Sequence, residues 1–165
     1  MALELKVEGQ LNVDNGTKQA LETYSDGDVT WPNRAAFQGY NYGETVAGDG
    51  NWHVINLNTA NIDTQSGFTA PYYEIERAGN YWVYGRAYCA GMCGTQILAV
   101  RVRKGASTVL CEGRENTGAA TDAIANAGIL VALSAGDKIY LDALHTCGGG
   151  VNKTIYGYLT VIKVN

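Results

Sequence analysis

Charge is the scarcest property of this chain. Charged residues make up 17% of its 165 positions, against about a quarter in ordinary soluble domains. The formal net charge is −4, and no cluster of lysine and arginine offsets it. That excludes a surface built for nucleic acid or an anionic membrane, both of which reward dense basic patches. Proline occurs twice, so the chain does not read as a disordered, proline-rich linker. Only two histidines are present, which narrows any general acid–base chemistry to His53 and His145. No apolar run approaches the ~20 residues of a membrane-spanning helix. The opening "MALELKVEG" lacks the basic start and apolar stretch of a secretion signal. Synthesis and first folding in a cytoplasm are therefore expected, and the four cysteines default to thiols.

What the chain has instead is glycine and tyrosine. There are 21 glycines, nearly twice the usual share of ~7%, and 11 tyrosines. Few charges together with many tyrosines point to a surface covered by copies of the same chain. Residues 1–34 hold six acids and three bases and are rich in turn residues. Within them Leu3, Leu5 and Val7, then Leu11 and Val13, alternate with polar residues, the period of a strand. We read 1–34 as an N-terminal arm and linker and 35–165 as a compact body.

The body is a succession of short alternating or apolar runs separated by glycine and polar turns. The expected strands are 35–42, 52–58, 72–76, 81–88, 95–103, 108–115, 127–137, 138–145 and 154–164, with 44–51 and 61–71 as loops. Strand signals at this spacing predict an all-β sandwich or barrel. Residues 119–127, "AATDAIANA", are the one helix candidate, and they lack a sustained apolar stripe. In 81–88 Trp82, Tyr84, Arg86 and Tyr88 share one face. In 154–164 Tyr156 and Tyr158 share a face opposite Ile155, Leu159 and Val161. Gly157 lets a large neighbour pack against bare backbone.

No catalytic constellation can be assembled. There is no Ser-His-Asp pattern, phosphate-binding loop or paired carboxylates. The "DGD" at 26–28 and "GDG" at 48–50 lack the spaced oxygen ligands of a calcium loop. The reading is non-enzymatic, with no cofactor, no nucleic acid and no membrane partner. "YCAGMC" at 88–93 leaves several chemistries open: a metal site, a redox pair, half of two disulfides, or none.

Five segments, in order, resemble the complement globular-head domain and the wider tumour necrosis factor superfamily. These are "AAFQGY", "WHVINLN…NIDTQSGF", "YYEIERAGNYWVYG", "LVALSAGDKIYL" and "YGYLTVIKV". The resemblance spans nearly all of 35–165 and implies a ten-stranded jelly-roll sandwich. It also implies a homotrimer, whose contact would include Trp82, Tyr84, Tyr88, Tyr156 and Tyr158. The implied topology places Cys89 and Cys93 near Cys147. A Cys93–Cys147 disulfide would close about 50 residues, worth ~4 kcal/mol in the chain-entropy account. Cys89, Cys93, His145 and Cys147 have the ligand count of a zinc site. Thiols, one disulfide and zinc all stay open.

Such a domain without an export signal, a collagen-like stalk or a membrane anchor looks most like a bacteriophage virion protein. The expected role is a trimeric head-decoration (cement) protein. Leu3, Leu5, Val7, Leu11 and Val13 of the arm would add a strand to the major capsid protein. The alternative is a receptor- or glycan-binding tip of a phage fibre, or a secreted adhesin, reading a host surface ligand.

Overall fold

In a computed structural model, residues 35–118 and 121–164 are described in full, together with the backbone of two short strands, β1 (Glu22–Thr23) and β2 (Val29–Thr30). The chain divides into two units, Met1–Arg34 and Ala35–Asn165. In the first, β1 pairs antiparallel with β2. The arm residues Leu3, Leu5, Val7, Leu11 and Val13 lie outside the described residues.

The second unit is all β, with no helix among the described residues. Its strands are β3 (Ala36–Tyr40), β4 (Glu44–Ala47), β5 (His53–Val54), β6 (Thr59–Asp63), β7 (Phe68–Thr69) and β8 (Tyr72–Glu74). They continue with β9 (Gly79–Cys89), β10 (Ile97–Lys104), β11 (Thr108–Asn116), β12 (Ala123–Leu133), β13 (Lys138–His145) and β14 (Asn152–Lys163). One sheet, the aromatic sheet below, runs β12-β9-β14-β3-β6, with β4 added beside β14. The other, the ionic sheet, runs β11-β10-β13-β8-β7, with β5 added beside β13. The two six-stranded sheets form the sandwich expected of a jelly roll, with two short strands beyond the expected ten, and every pairing is antiparallel.

Alternation explains how the sheets face each other. In β9, Tyr81, Val83, Gly85, Ala87 and Cys89 point inward and are buried. In β14, Ile155, Leu159 and Val161 do the same. From the ionic sheet Leu98, Val100, Val102, Ile139, Leu141 and Ala143 meet them. Phe37 stacks on Tyr73, with ring centroids 4.4 Å apart, and on Phe68 at 5.3 Å, closing one end of this core. Gly157 fills its expected role, because a β-carbon there would lie 2.6 Å from Ile55 Cγ2 and 2.9 Å from Leu141 Cδ2.

Several boundaries differ from the sequence reading. Residues 44–47 pair with β14 and 59–63 with β3, where loops were expected. Both strands take their partners from distant parts of the chain, and neither carries a long apolar signature. The 52–58 strand shrinks to two residues, although Ile55 and Leu57 are buried. Residues 123–127 of the helix candidate are instead the start of β12. Ala123, Ala125 and Ala127 face inward and alternate with exposed Ile124, Asn126 and Gly128. Alanine favours helices, yet pairing along all of β9 overrides that local preference. Small residues are also needed here, because β11 passes close to β12.

Gly113 marks that close approach. A β-carbon at 113 would sit 1.7 Å from the Asn126 carbonyl oxygen, an obstacle of backbone rather than of a movable side chain. Gly113→Ala is expected to destabilise the domain by about 3 kcal/mol, at the upper end for overpacking. Gly149→Ala, where a β-carbon meets nothing, should stay within about 0.5 kcal/mol. Urea unfolding of the two variants checks the difference.

Candidate functional site

Two regions hold the residues singled out by the sequence: the outward face of the aromatic sheet and the loop end that carries three cysteines.

The outward face is set by the register of β9. Arg86 lies opposite Asn126 on β12 and Tyr158 on β14. Trp82, Tyr84 and Tyr88 flank it along the same strand, and Tyr156 lies opposite Tyr88. The structure thus brings all five residues expected at a trimer contact onto one face. It adds residues that the sequence reading missed, above all Ile124 and Leu130 on β12. Leu130 is 58% exposed and Trp82 43%, unusual for such large apolar groups in a folded domain. Tyr88 and Tyr156 lie with ring centroids 5.7 Å apart, and Tyr158 lies 6.1 Å from Tyr40. Tyr84 donates to Asn126 Oδ1 at 2.5 Å.

Charge is nearly absent from this face. On the outward positions of β3, β9, β12 and β14, Arg86 is the only charged side chain. Lys153 and Lys163 stand in the inward register at the strand ends and donate to the Gly91 and Ala78 carbonyls. The Arg86 guanidinium carbon lies 5.5 Å from the centre of the Tyr158 ring. Its Nε is buried and has no hydrogen-bond partner.

The outward face of the ionic sheet handles charge differently. Arg101 and Arg103 both donate through Nε to Asp142 Oδ2, at 2.8 and 2.7 Å. Arg101 lies over Trp52 at 4.5 Å and Arg103 over Tyr140 at 4.4 Å. Lys138 lies over Tyr72 at 4.6 Å. Its cations are paired or stacked within the chain.

At the cysteine end, the loop after β9 is held along its length. Gly91 takes a positive φ of 64° and donates its amide to Asp122 Oδ1 at 3.0 Å. The Met92 amide reaches the Thr121 carbonyl at 2.8 Å, and the Met92 side chain is fully buried. Thr117 donates to the Cys93 carbonyl at 2.9 Å. The Cys93 amide donates to Cys147 Sγ at 3.2 Å, so these two cysteines do meet. All four cysteines stand as thiols in the structure. Burial pushes the Cys89 thiol up to about 11. Burial, then its hydrogen bond with Cys93, raises Cys147 above the usual thiol range. Cys111 lies on β11 and is also raised by burial.

The zinc set of Cys89, Cys93, His145 and Cys147 does not assemble. Both ring nitrogens of the buried His145 are engaged, Nε2 by the Val46 carbonyl at 2.8 Å and Nδ1 by the Cys147 amide at 3.4 Å. Among the described residues no group of three or more histidine, cysteine or acidic side chains is placed to hold a metal ion. At 48–50 the Asp49 carboxylate is occupied by the Asn51 amide, the Asn51 side chain and His53. The 26–28 segment lies outside the described residues.

No protein-family model and no curated protein matches the sequence. Solved structures match the fold. The globular domain of zebrafish complement 1qA is similar over 79% of this chain and 98% of its own, with a TM-score of 0.62 and 16% identity. Murine APRIL is similar over 77% of this chain and 98% of its own, with a TM-score of 0.54 and 10% identity. The Eiger TNF of S. frugiperda is similar over 80% and 92%, with a TM-score of 0.54 and 15% identity.

Two measurements check the loop end. Native alkylation at pH 8 should modify Cys89 at least a hundredfold more slowly than a free thiol, because so little of it is thiolate; labelling at the rate of an open cysteine would contradict its placement. Asp122 is held below the usual carboxylate range by the Gly91 amide and then by the Tyr88 hydroxyl. A depressed folded value stabilises above the unfolded pKa of ~3.9. The stability lost in Asp122→Asn should therefore be full at pH 7 and fade as pH falls below about 4. Urea midpoints for both proteins across that range would show it.

These comparisons and the strand order together identify the second unit as a jelly-roll sandwich of the complement-head and tumour necrosis factor type.

Proposed function

We propose that this chain is a non-enzymatic, self-assembling module that forms a homotrimer through the outward face of the aromatic sheet. One observation carries the reading: the face exposes Trp82, Leu130, Ile124 and Tyr158 together, with Arg86 the single charge at its outward strand positions. Interfaces are rich in tyrosine, tryptophan and arginine and poor in other charges, and tryptophan, tyrosine and arginine dominate their energetics. The trimer, rather than another stoichiometry, rests on the resemblance of the five sequence segments. The non-enzymatic reading is supported by the two histidines, which are engaged by the backbone or by Asp49.

For the partner of the assembled module, we favour a virion surface, the role of a head-decoration protein on a phage capsid. The support is the acidic, strand-patterned sequence of 1–34, which is suited to adding a strand to a capsid sheet. Cosedimentation with expanded capsids would support this placement. Saturating binding to host cells without capsid binding would replace it with the fibre-tip or adhesin reading.

Self-assembly is tested by the solution mass. Sedimentation at micromolar concentration should give three times the 17.6 kDa of one chain. Leu130→Lys, at an exposed position, should leave the fold intact and weaken assembly at least a hundredfold. A wild-type protein that stays at 17.6 kDa would overturn the reading.

A further inference from the structure

We infer that the aromatic-sheet face holds an oxyanion site, built on Arg86 and Asn126, that is completed when copies of the chain close over it. The inference rests on the self-assembly reading above and names the ligand that the assembled face takes.

Arg86 is the one cation at the outward strand positions of this face, at the middle of a strand paired on both sides. The carboxylate that borders the face, Asp122, is taken by the Tyr88 hydroxyl and the Gly91 amide. The Arg86 Nε is already buried in the single chain, without a hydrogen-bond partner. The cation lies 5.5 Å from the centre of the Tyr158 ring, a contact that attracts its charge but leaves Nε without a hydrogen-bond acceptor. Closing copies over this face would remove remaining solvent from one guanidinium per copy. A buried cation lacking an acceptor is strongly destabilising, so assembly through this face requires an anion.

The carboxylates among the described residues are poor candidates for that anion. Among the described residues ten are acidic, and eight accept a hydrogen bond or ion pair within the chain: Glu44, Asp49, Asp63, Glu74, Glu112, Asp122, Asp137 and Asp142. The two left are Glu115, on β11, and Glu76, just after β8. Both follow strands of the ionic sheet, not the face that carries Arg86.

The donors present favour an oxyanion over a monatomic ion. Opposite Arg86, the Asn126 side chain accepts from Tyr84 through Oδ1, which leaves its Nδ2 as a donor on the same patch. A guanidinium fork with an adjacent amide matches the oxygens of phosphate, sulfate or a carboxylate. The assembled site thus combines positive charge, two kinds of N–H donor and an aromatic wall.

The test uses the full chain, with inorganic phosphate and sulfate as probes. Sedimentation velocity is run in Tris chloride with and without 1 mM-range phosphate or sulfate, at matched ionic strength. The expected result is assembly at least tenfold tighter with either oxyanion. Arg86→Met should abolish the response, and Arg86→Lys, which keeps the charge and loses the fork, should weaken it. Thermal unfolding confirms that each variant is folded. Broadening of the phosphate ³¹P signal by the wild type but not by folded Arg86→Met gives a second readout. Wild-type assembly that is indifferent to both oxyanions overturns the inference while leaving self-assembly standing. If Glu115→Gln or Glu76→Gln then weakens assembly as much as Arg86→Met, the acceptor is a neighbour's carboxylate. A chain that is monomeric in every buffer overturns the self-assembly reading itself.

Discussion

Strand β9 pairs with β12 along its whole length and with β14 from Tyr81 to Cys89. That double pairing fixes the orientation of every side chain on it. A slip of one residue would bury Trp82, Tyr84, Arg86 and Tyr88 and expose Tyr81, Val83 and Ala87. The core could not accept a guanidinium, so the register is strongly specified. The same constraint that builds the core therefore presents an aromatic face to the outside. Its neighbours extend that face, because Tyr158 and Asn126 are placed by the rungs on either side of Arg86.

The two outward faces of the sandwich differ in how they handle charge, and the difference separates a finished surface from an unfinished one. On the ionic sheet, arginines converge on one buried carboxylate and stack on aromatic rings. That arrangement is satisfied largely within a single chain. On the aromatic sheet, large apolar groups stay exposed and one cation stays unpaired. Burial against another copy would remove apolar area from water at roughly 25 cal/mol per Å². It also sharpens the demand for an acceptor at Arg86. The loop end, by contrast, has its backbone donors engaged and the Cys89 and Cys147 thiols raised by burial, the chemistry of a structural connection rather than of a nucleophile.

Much of this was legible in the sequence, and for a physical reason. The long strands β9 and β14 alternate with period 2 between aliphatic and aromatic residues, a signal that survives without structural context. The aromatic face follows from that alternation. Three things were not legible. The short strands β4 and β6 exist because β14 and β3 offer them backbone partners, information carried by distant residues. The start of β12 is written in alanines, whose local preference is helical, so Ile124 was not assigned to the face, and Leu130 fell in the expected strand 127–137, whose continuous apolar run marks no outward side. The zinc set looked complete by ligand count, but His145 faces Val46 and the Cys147 amide. Counting ligands could not show that both ring nitrogens are used. The isolation of Arg86 could have been seen in the sequence, since no other outward position on the flanking strands is charged; that needed the strand order first.

The central claim is that the aromatic-sheet face is covered by other copies of the chain. Hydroxyl-radical footprinting addresses it directly, because it reads the exposure of individual side chains in solution. In the assembled wild type, Trp82 and Tyr158 should be oxidised several-fold more slowly than in a folded monomeric variant, while Val54 and Val109, exposed elsewhere, should react equally in both. Equal oxidation of Trp82 and Tyr158 in the two proteins would contradict the account.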